Sequence, residues 1–277
     1  FSISMADKDL YIVGCGNLGR RIGSKWKATY PEACVYGETR TNLKHRVLIN
    51  EGIIPVLKSN RRKQRYPNVV FCASPSGNEN YPQEVYNAGN DLFDATSTGT
   101  FVFTSSGGIY SEKSGGIVRE TSEIALNPRN TKLYEAEGSC LETGGCVIRL
   151  AGLYSLSRGA HSFWLSKGTV QGNENGQINL LSYSDAAGAV VALLERGGRA
   201  MTLLASDGLK PPMTRKEICA SAIQHPLYSS YRMPAFISSN ESDLGKVYDC
   251  SATMRLLNWE PKYKSFDHFI RNEMKKY

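Results

Sequence analysis

The stretch Leu10-Tyr11-Ile12-Val13-Gly14-Cys15-Gly16-Asn17-Leu18-Gly19 decides the fold. Four apolar residues predict a buried strand over Leu10–Val13, and amphipathic spacing predicts a helix over Leu18–Thr29. Between them stands a Gly-x-Gly-x-x-Gly turn. In strand–turn–helix context this is a dinucleotide-binding fingerprint. Gly14 permits the tight turn, Gly16 lets backbone approach a pyrophosphate, and Gly19 lets helix and strand pack closely. The helix amino terminus adds free N–H groups and a positive dipole end.

Working outward, short apolar runs alternate with amphipathic stretches. Strands are predicted over Cys34–Gly37, Ile53–Leu57, Val69–Ala73, Phe101–Thr104 and Cys146–Leu150. Helices are predicted over Leu43–Glu51, Pro82–Thr96 and Thr131–Thr143. Such alternation means βαβ units and a parallel sheet covered by helices on both faces. The fold class is therefore α/β, a Rossmann-type doubly wound parallel sheet. Ligands bind such sheets at the carboxyl ends of the strands.

After about residue 151 the rhythm changes. Helices are predicted over Asp185–Glu195, Thr214–Gln224, Met254–Asn258 and Phe266–Lys275, with one strand over Met201–Ala205. The segment Tyr228–Ser242 is irregular and Ser-rich. We divide the chain into a dinucleotide-binding domain, 1–150, and a smaller carboxyl-terminal substrate-cleft portion, 151–277. The second part is too poor in strands for an independent core and is expected to pack on the first.

A chain of 277 residues is one large domain or two small ones. It buries enough surface to need no disulfide or metal staple. Hydrophobic residues are 41% and charged residues 21%, which excludes disorder, collagen and a disulfide mini-scaffold. The formal charge of +7 favours anionic ligands such as phosphates without singling out nucleic acid. Seven scattered cysteines without a CxxC, and four distant histidines, predict free thiols, a reducing compartment and no metal site. No apolar run approaches the roughly 18 residues of a membrane span. The expected location is the cytoplasm, or the chloroplast stroma if Phe1 follows a removed transit peptide.

Cofactor choice turns on the end of the second strand, Val35-Tyr36-Gly37-Glu38-Thr39-Arg40-Thr41. If the strand stops at Gly37, Glu38 meets a ribose diol and the cofactor is NAD. If it runs further, Thr39 and Arg40 meet a 2′-phosphate, and the cofactor is NADP. Our expectation is NADP, with NAD as the alternative.

Most of the chain resembles an extended short-chain dehydrogenase/reductase, the group of NAD(P)-dependent sugar-nucleotide epimerases and dehydratases. The resemblance rests on the order of several motifs: the glycine turn, Phe71-Cys72-Ala73-Ser74-Pro75, Thr104-Ser105-Ser106-Gly107-Gly108-Ile109-Tyr110, and Arg149-Leu150-Ala151-Gly152-Leu153-Tyr154. Asn179-Leu180-Leu181-Ser182-Tyr183-Ser184-Asp185 and the tail from Lys246-Val247-Tyr248-Asp249 to Leu257-Asn258-Trp259-Glu260-Pro261 complete it. It implies that Gly14, Gly16, Asn17, Leu18, Gly19, Thr39, Arg40, Ala73, Ser74, Pro75, Ser105 and Ala151 surround the cofactor. It also implies a catalytic Ser106, four residues before Tyr110.

The family's Tyr and Lys, four residues apart, open the next helix eight and four residues before a Glu. With Glu137 as that Glu, the two positions hold Arg129 and Leu133, and no Tyr in the chain is followed by Lys four residues on. A Tyr with its ordinary pKa near 10 needs a neighbouring cation to shuttle protons at neutral pH. Leu133 supplies none, and Arg129 holds its proton too tightly. Tyr110 or Tyr134 are the remaining substitutes. Two functions follow: a cofactor-binding structural or redox-sensing subunit of a larger assembly, or an NADP-dependent oxidoreductase or epimerase-like enzyme with a non-standard acid/base.

Four further features have two readings each. Cys72 is a nucleophile or a buried strand thiol. Asp185 is a substrate ligand or a helix cap. His161 lies over the substrate cleft or is structural. The cluster Arg61, Arg62, Lys63, Arg65 is a solvated face or a docking patch for an acidic protein, anionic headgroups or, weakly, nucleic acid; it lacks the aromatics of a single-strand binder.

Overall fold

A computed structural model describes residues 5–61, 63–238 and 242–276. Arg62 of the basic cluster, Phe1 and part of the Ser-rich segment lie outside the described residues. The order is β1 (Leu10–Val13), α1 (Asn17–Thr29), β2 (Val35–Thr39), α2 (His45–Asn50), β3 (Ile54–Leu57), β4 (Asn68–Phe71), α3 (Tyr81–Asn87), β5 (Phe101–Ser106), β6 (Ser114–Val118), α4 (Pro128–Glu142) and β7 (Cys146–Leu150). There follow β8 (Gly152–Tyr154), α5 (Ala160–Lys167), β9 (Thr169–Gln171), β10 (Leu180–Ser182), α6 (Tyr183–Arg196), β11 (Thr202–Ala205), α7 (Arg215–Ile223), β12 (Ala235–Ile237), β13 (Gly245–Tyr248), α8 (Ser251–Leu257) and α9 (Phe266–Met274).

Seven strands form one parallel sheet in the order β11-β7-β5-β4-β1-β2-β3. The order reverses beside β1, so the crevice of a doubly wound sheet opens at the end of β1. Each face buries its own apolar set. Leu10, Ile12, Ile22, Trp26 and Val35 pack on one side with α6 residues such as Ala186, Val190 and Leu194. Tyr11, Val13, Phe71, Phe103, Val85 and Ala136 fill the other.

Local chemistry sets the element ends. On α1 the buried residues Leu18, Gly19, Ile22, Gly23 and Trp26 recur at helical spacing. Asn127 caps α4 by accepting from Asn130 N, with Pro128 in the first turn. Thr214 and Glu217 form a capping box on α7.

Two predicted boundaries are corrected. β2 runs to Thr39 rather than Gly37, because Cys15 N donates to Glu38 O at 2.7 Å and β3 continues the pairing. The predicted helix Pro82–Thr96 ends at Asn87, passing into a wider π-type turn over Ala88–Leu92. Three pairs of short parallel strands, β8–β10, β9–β12 and β6–β13, lie outside the sequence reading.

The part beyond residue 151 both joins the first layer and holds a core of its own. β11 extends the main sheet and α6 packs on α1, while Tyr154, Leu165, Ile218, Phe266, Phe269 and Ile270 form a separate buried cluster.

Candidate functional site

The three glycines meet three different constraints. Gly14 has φ +83°, and a Cβ there would lie 2.4 Å from the Ala73 Cα and N. The turn therefore presses directly on the end of β4, and only glycine fits. At Gly19 a Cβ would lie 2.9 Å from both Cys72 Sγ and Ile12 Cγ2, so this glycine seats α1 on the sheet. Gly16 is exposed, has φ −86°, and a Cβ there would meet nothing nearer than Gly14 O at 3.9 Å. The protein's own packing does not require a glycine at 16. No side chain caps the α1 amino terminus and no acidic residue occupies its first turn. Its unpaired N–H groups and dipole face the crevice beside Gly16, which is the environment a pyrophosphate fits.

The end of β2 forms the next wall. Glu38 is 2% exposed and does not face the crevice as a free carboxylate. Arg61 grips it with both ends of its guanidinium, Nε to Oε2 at 2.7 Å and Nη2 to Oε1 at 2.8 Å. Tyr11 donates its hydroxyl to Oε2 at 2.9 Å. Beyond it, Thr39 Oγ1 donates to Thr41 O and lies 2.8 Å from His45 Nε2. Arg40, Lys44 and Arg46 are exposed. Arg40 reaches the loop after β4, where a Cβ on Gly77 would stand 3.4 Å from its Nη1. Ser74 and Pro75 of that loop are exposed, and Ala73 is half-buried with its carbonyl accepting from Tyr81 OH.

The third wall is the end of β5 and β7. Ser106 is half-buried, and its Oγ accepts from Gly108 N at 3.2 Å, capping a short 3₁₀ turn. Ser105 turns away from the crevice and donates to Glu137 Oε1 at 2.5 Å, so only its backbone borders the crevice. Glu137 in turn is paired with Arg149, Nη2 to Oε2 at 2.7 Å, with both side chains buried. Ala151 is buried at the end of β7, its N–H given to Ala205 O.

Several sequence candidates fall elsewhere. Tyr110 is 1% exposed, accepts from Arg149 Nη1 at 3.1 Å, and stacks edge-on to Tyr248. Burial pushes its pKa up, and its hydroxyl, taken by Arg149, braces the Glu137–Arg149 pair. Tyr134 points outward on α4, Arg129 is exposed, and Leu133 packs into the core. His161 is buried between Tyr228 and Phe266 with Nε2 on Leu156 O; burial lowers its pKa, and it is a core residue. The Cys72 thiol donates to Gly14 O, and burial pushes its pKa far up, which removes the thiolate that a nucleophile needs. The Asp185 carboxylate is taken up inside the fold, accepting from Ser182 Oγ at 2.8 Å. Ser182 caps α6, while Asp185 accepts from Lys262 N and Tyr263 N and pins the tail to the helix.

Two site features escaped the sequence reading: the Arg61 clasp on Glu38, and His45 beside Thr39. All seven cysteines are free thiols. Among the described residues there is no His/Cys/Asp/Glu group able to hold a metal ion, and no helix long and apolar enough to cross a membrane.

No family model matches the chain, and no curated protein matches it in sequence. Solved structures do match. A conserved protein of unknown function from Silicibacter pomeroyi superposes with TM-score 0.75 at 15% identity, covering 97% of this chain and 98% of that one. The dTDP-glucose 4,6-dehydratase of Bacillus anthracis, in complex with NAD, gives 0.73 at 14% identity, covering 96% and 95%. The UDP-glucuronic acid 4-epimerase of Bacillus cereus, in complex with NAD, gives 0.70 at 14%, covering 96% and 99%. The chain thus has the Rossmann-type α/β fold seen in NAD-binding epimerases and dehydratases.

Proposed function

We propose that the chain is a nicotinamide dinucleotide-binding protein that prefers NADP(H) and turns over little or nothing by the proton-transfer route of the enzymes it resembles. The observation that carries the binding reading is the division of labour among the glycines. Gly14 and Gly19 are demanded by contacts within the fold, whereas a Cβ at Gly16 would meet nothing nearer than Gly14 O at 3.9 Å, which leaves room there for a pyrophosphate against the backbone. The similar structures in complex with NAD support a nicotinamide dinucleotide as the ligand.

Asn17, Leu18, Ala73, Ser74, Pro75 and the Ser105 and Ala151 backbones complete the proposed cradle, with Thr39 and Arg40 at the 2′-phosphate. When bound, the nicotinamide supplies or accepts hydride. A matching proton must then come from this chain. Arg129, Leu133 and the buried Tyr110 provide no titrating group for it, and Ser106 alone orients a carbonyl without donating well. This favours a cofactor-binding subunit, structural or redox-sensing, within a larger assembly. The second reading, an oxidoreductase or epimerase-like enzyme on a carbonyl or sugar-nucleotide substrate, is favoured only by the filled Ser106 position. NADPH oxidation over a panel of carbonyl substrates tests the choice. Turnover near an ordinary enzyme's roughly 10 per second, lost on Ser106→Ala, would establish the enzyme.

A further inference from the structure

We infer that Arg61 sets cofactor choice by holding Glu38 out of the ribose pocket; this rests on the reading of the crevice as a dinucleotide site. A carboxylate at the end of the second strand is well placed to accept from both hydroxyls of an adenosine ribose. Here the Glu38 backbone has that placement, pairing with Val13 and accepting from Cys15 N within the glycine turn. The side chain does not. Its two oxygens take three donor atoms, Arg61 Nε, Arg61 Nη2 and Tyr11 OH, at 2.7–2.9 Å.

Turning Glu38 outward would leave the Arg61 guanidinium, whose side chain is 23% exposed, without its counter-charge. It would also strand the hydroxyl of fully buried Tyr11. The clasp therefore has two effects on a ligand. It removes the acceptor that a ribose diol needs, and it cancels the negative charge that would repel a 2′-phosphate. The exposed groups just past Glu38 then decide the matter, and Arg40 and Lys44 are cations. Arg61 is a positioning residue acting through Glu38, 23 residues away in sequence.

The test is the ratio of dissociation constants for NADH and NADPH, measured by calorimetry on the full chain. Arg61→Met keeps the stem and removes the fork. The ratio should fall at least tenfold in favour of NADH, with NADPH weakened and NADH not weakened. Arg61→Lys, retaining the charge, should keep most of the preference. The pair Glu38→Leu with Arg61→Met, made together with Tyr11→Phe so that no buried hydroxyl is stranded, removes both charges and should restore the preference for NADPH. This variant also serves if Arg61→Met alone does not fold, because replacing a buried ion pair by apolar groups is well tolerated. Equal losses for both nucleotides in folded Arg61→Met, or a triple variant that still favours NADH, would overturn the role of Arg61 while leaving the dinucleotide site standing. Failure of the unaltered chain to bind either nucleotide would overturn the site itself and the inference with it.

Discussion

Valine at position 16 and valine at position 14 should fail in opposite ways. At Gly16 the added Cβ meets nothing nearer than Gly14 O at 3.9 Å, and the φ of −86° is not left-handed. The expected stability cost is that of a poorer helix N-cap, about 0.5–1 kcal/mol. Binding should suffer far more. The side chain would stand where the pyrophosphate meets the α1 amino terminus. Two charge-assisted backbone hydrogen bonds at about 1.5 kcal/mol each amount to a weakening of at least about 100-fold. At Gly14 the order reverses. The φ of +83° costs an L-residue about 1–2 kcal/mol, and the collision at 2.4 Å with Ala73 backbone adds about 1–3 kcal/mol of overpacking. Gly14→Val should therefore unfold at markedly lower urea. Paired urea denaturation and calorimetric titration with NADPH read the two effects separately. A Gly16→Val protein that binds NADPH like the unaltered chain, or that loses as much stability as Gly14→Val, would refute the assignment of the glycines.

Arg40→Ala should weaken NADPH by about 1.5–3 kcal/mol and leave NADH nearly unchanged; equal losses in a parallel titration would remove Arg40 from the phosphate. Burial pushes the Asp207 carboxyl up to about 7, with nearby Asp185 adding to the rise. Its folded pKa lies above the ordinary value near 3.9, so its contribution to stability is complete below about pH 4 and is lost as pH rises through 7. Asp207→Asn should flatten that decline and raise stability at pH 8 by roughly 2–4 kcal/mol; parallel pH–stability curves for the two proteins would show the effect to be absent. Arg149→Met should cost about 3–5 kcal/mol by stranding buried Glu137, and a loss under 1 kcal/mol by chemical denaturation would contradict that. Absence of a positioned acid should hold NADPH oxidation below about 0.1 per second, as a stopped assay with simple ketones and sugar nucleotides would read.

The glycine turn and the sheet were legible because their signals are local. Strand, turn and helix follow within twenty residues, and each glycine's role depends on backbone geometry that the spacing already implies. The boundaries that failed did so where distant residues intervene. β2 continues through Glu38 because its backbone is held by Cys15 N and β3, while its carboxylate is buried against Arg61 and the Tyr11 hydroxyl. Asp185 was open between a cap and a substrate ligand because its partners, Lys262 and Tyr263, lie 77 and 78 residues away. His161 has aromatic neighbours only after α9 folds against α5. The three-residue strands are too short for an alternating pattern to show. Ser105 and Ser106 are adjacent and chemically alike, and only the strand's alternation sends one to Glu137 and the other toward the crevice.

The central claim is a nicotinamide dinucleotide held at the glycine turn with preference for the 2′-phosphate. Calorimetric titration of the unaltered chain with NADPH and NADH, under identical conditions, tests it most directly. The account predicts one site per chain and tighter binding of NADPH. No binding of either nucleotide at millimolar concentration would contradict the site, and tighter binding of NADH would contradict the reading of β2, Glu38 and Arg40.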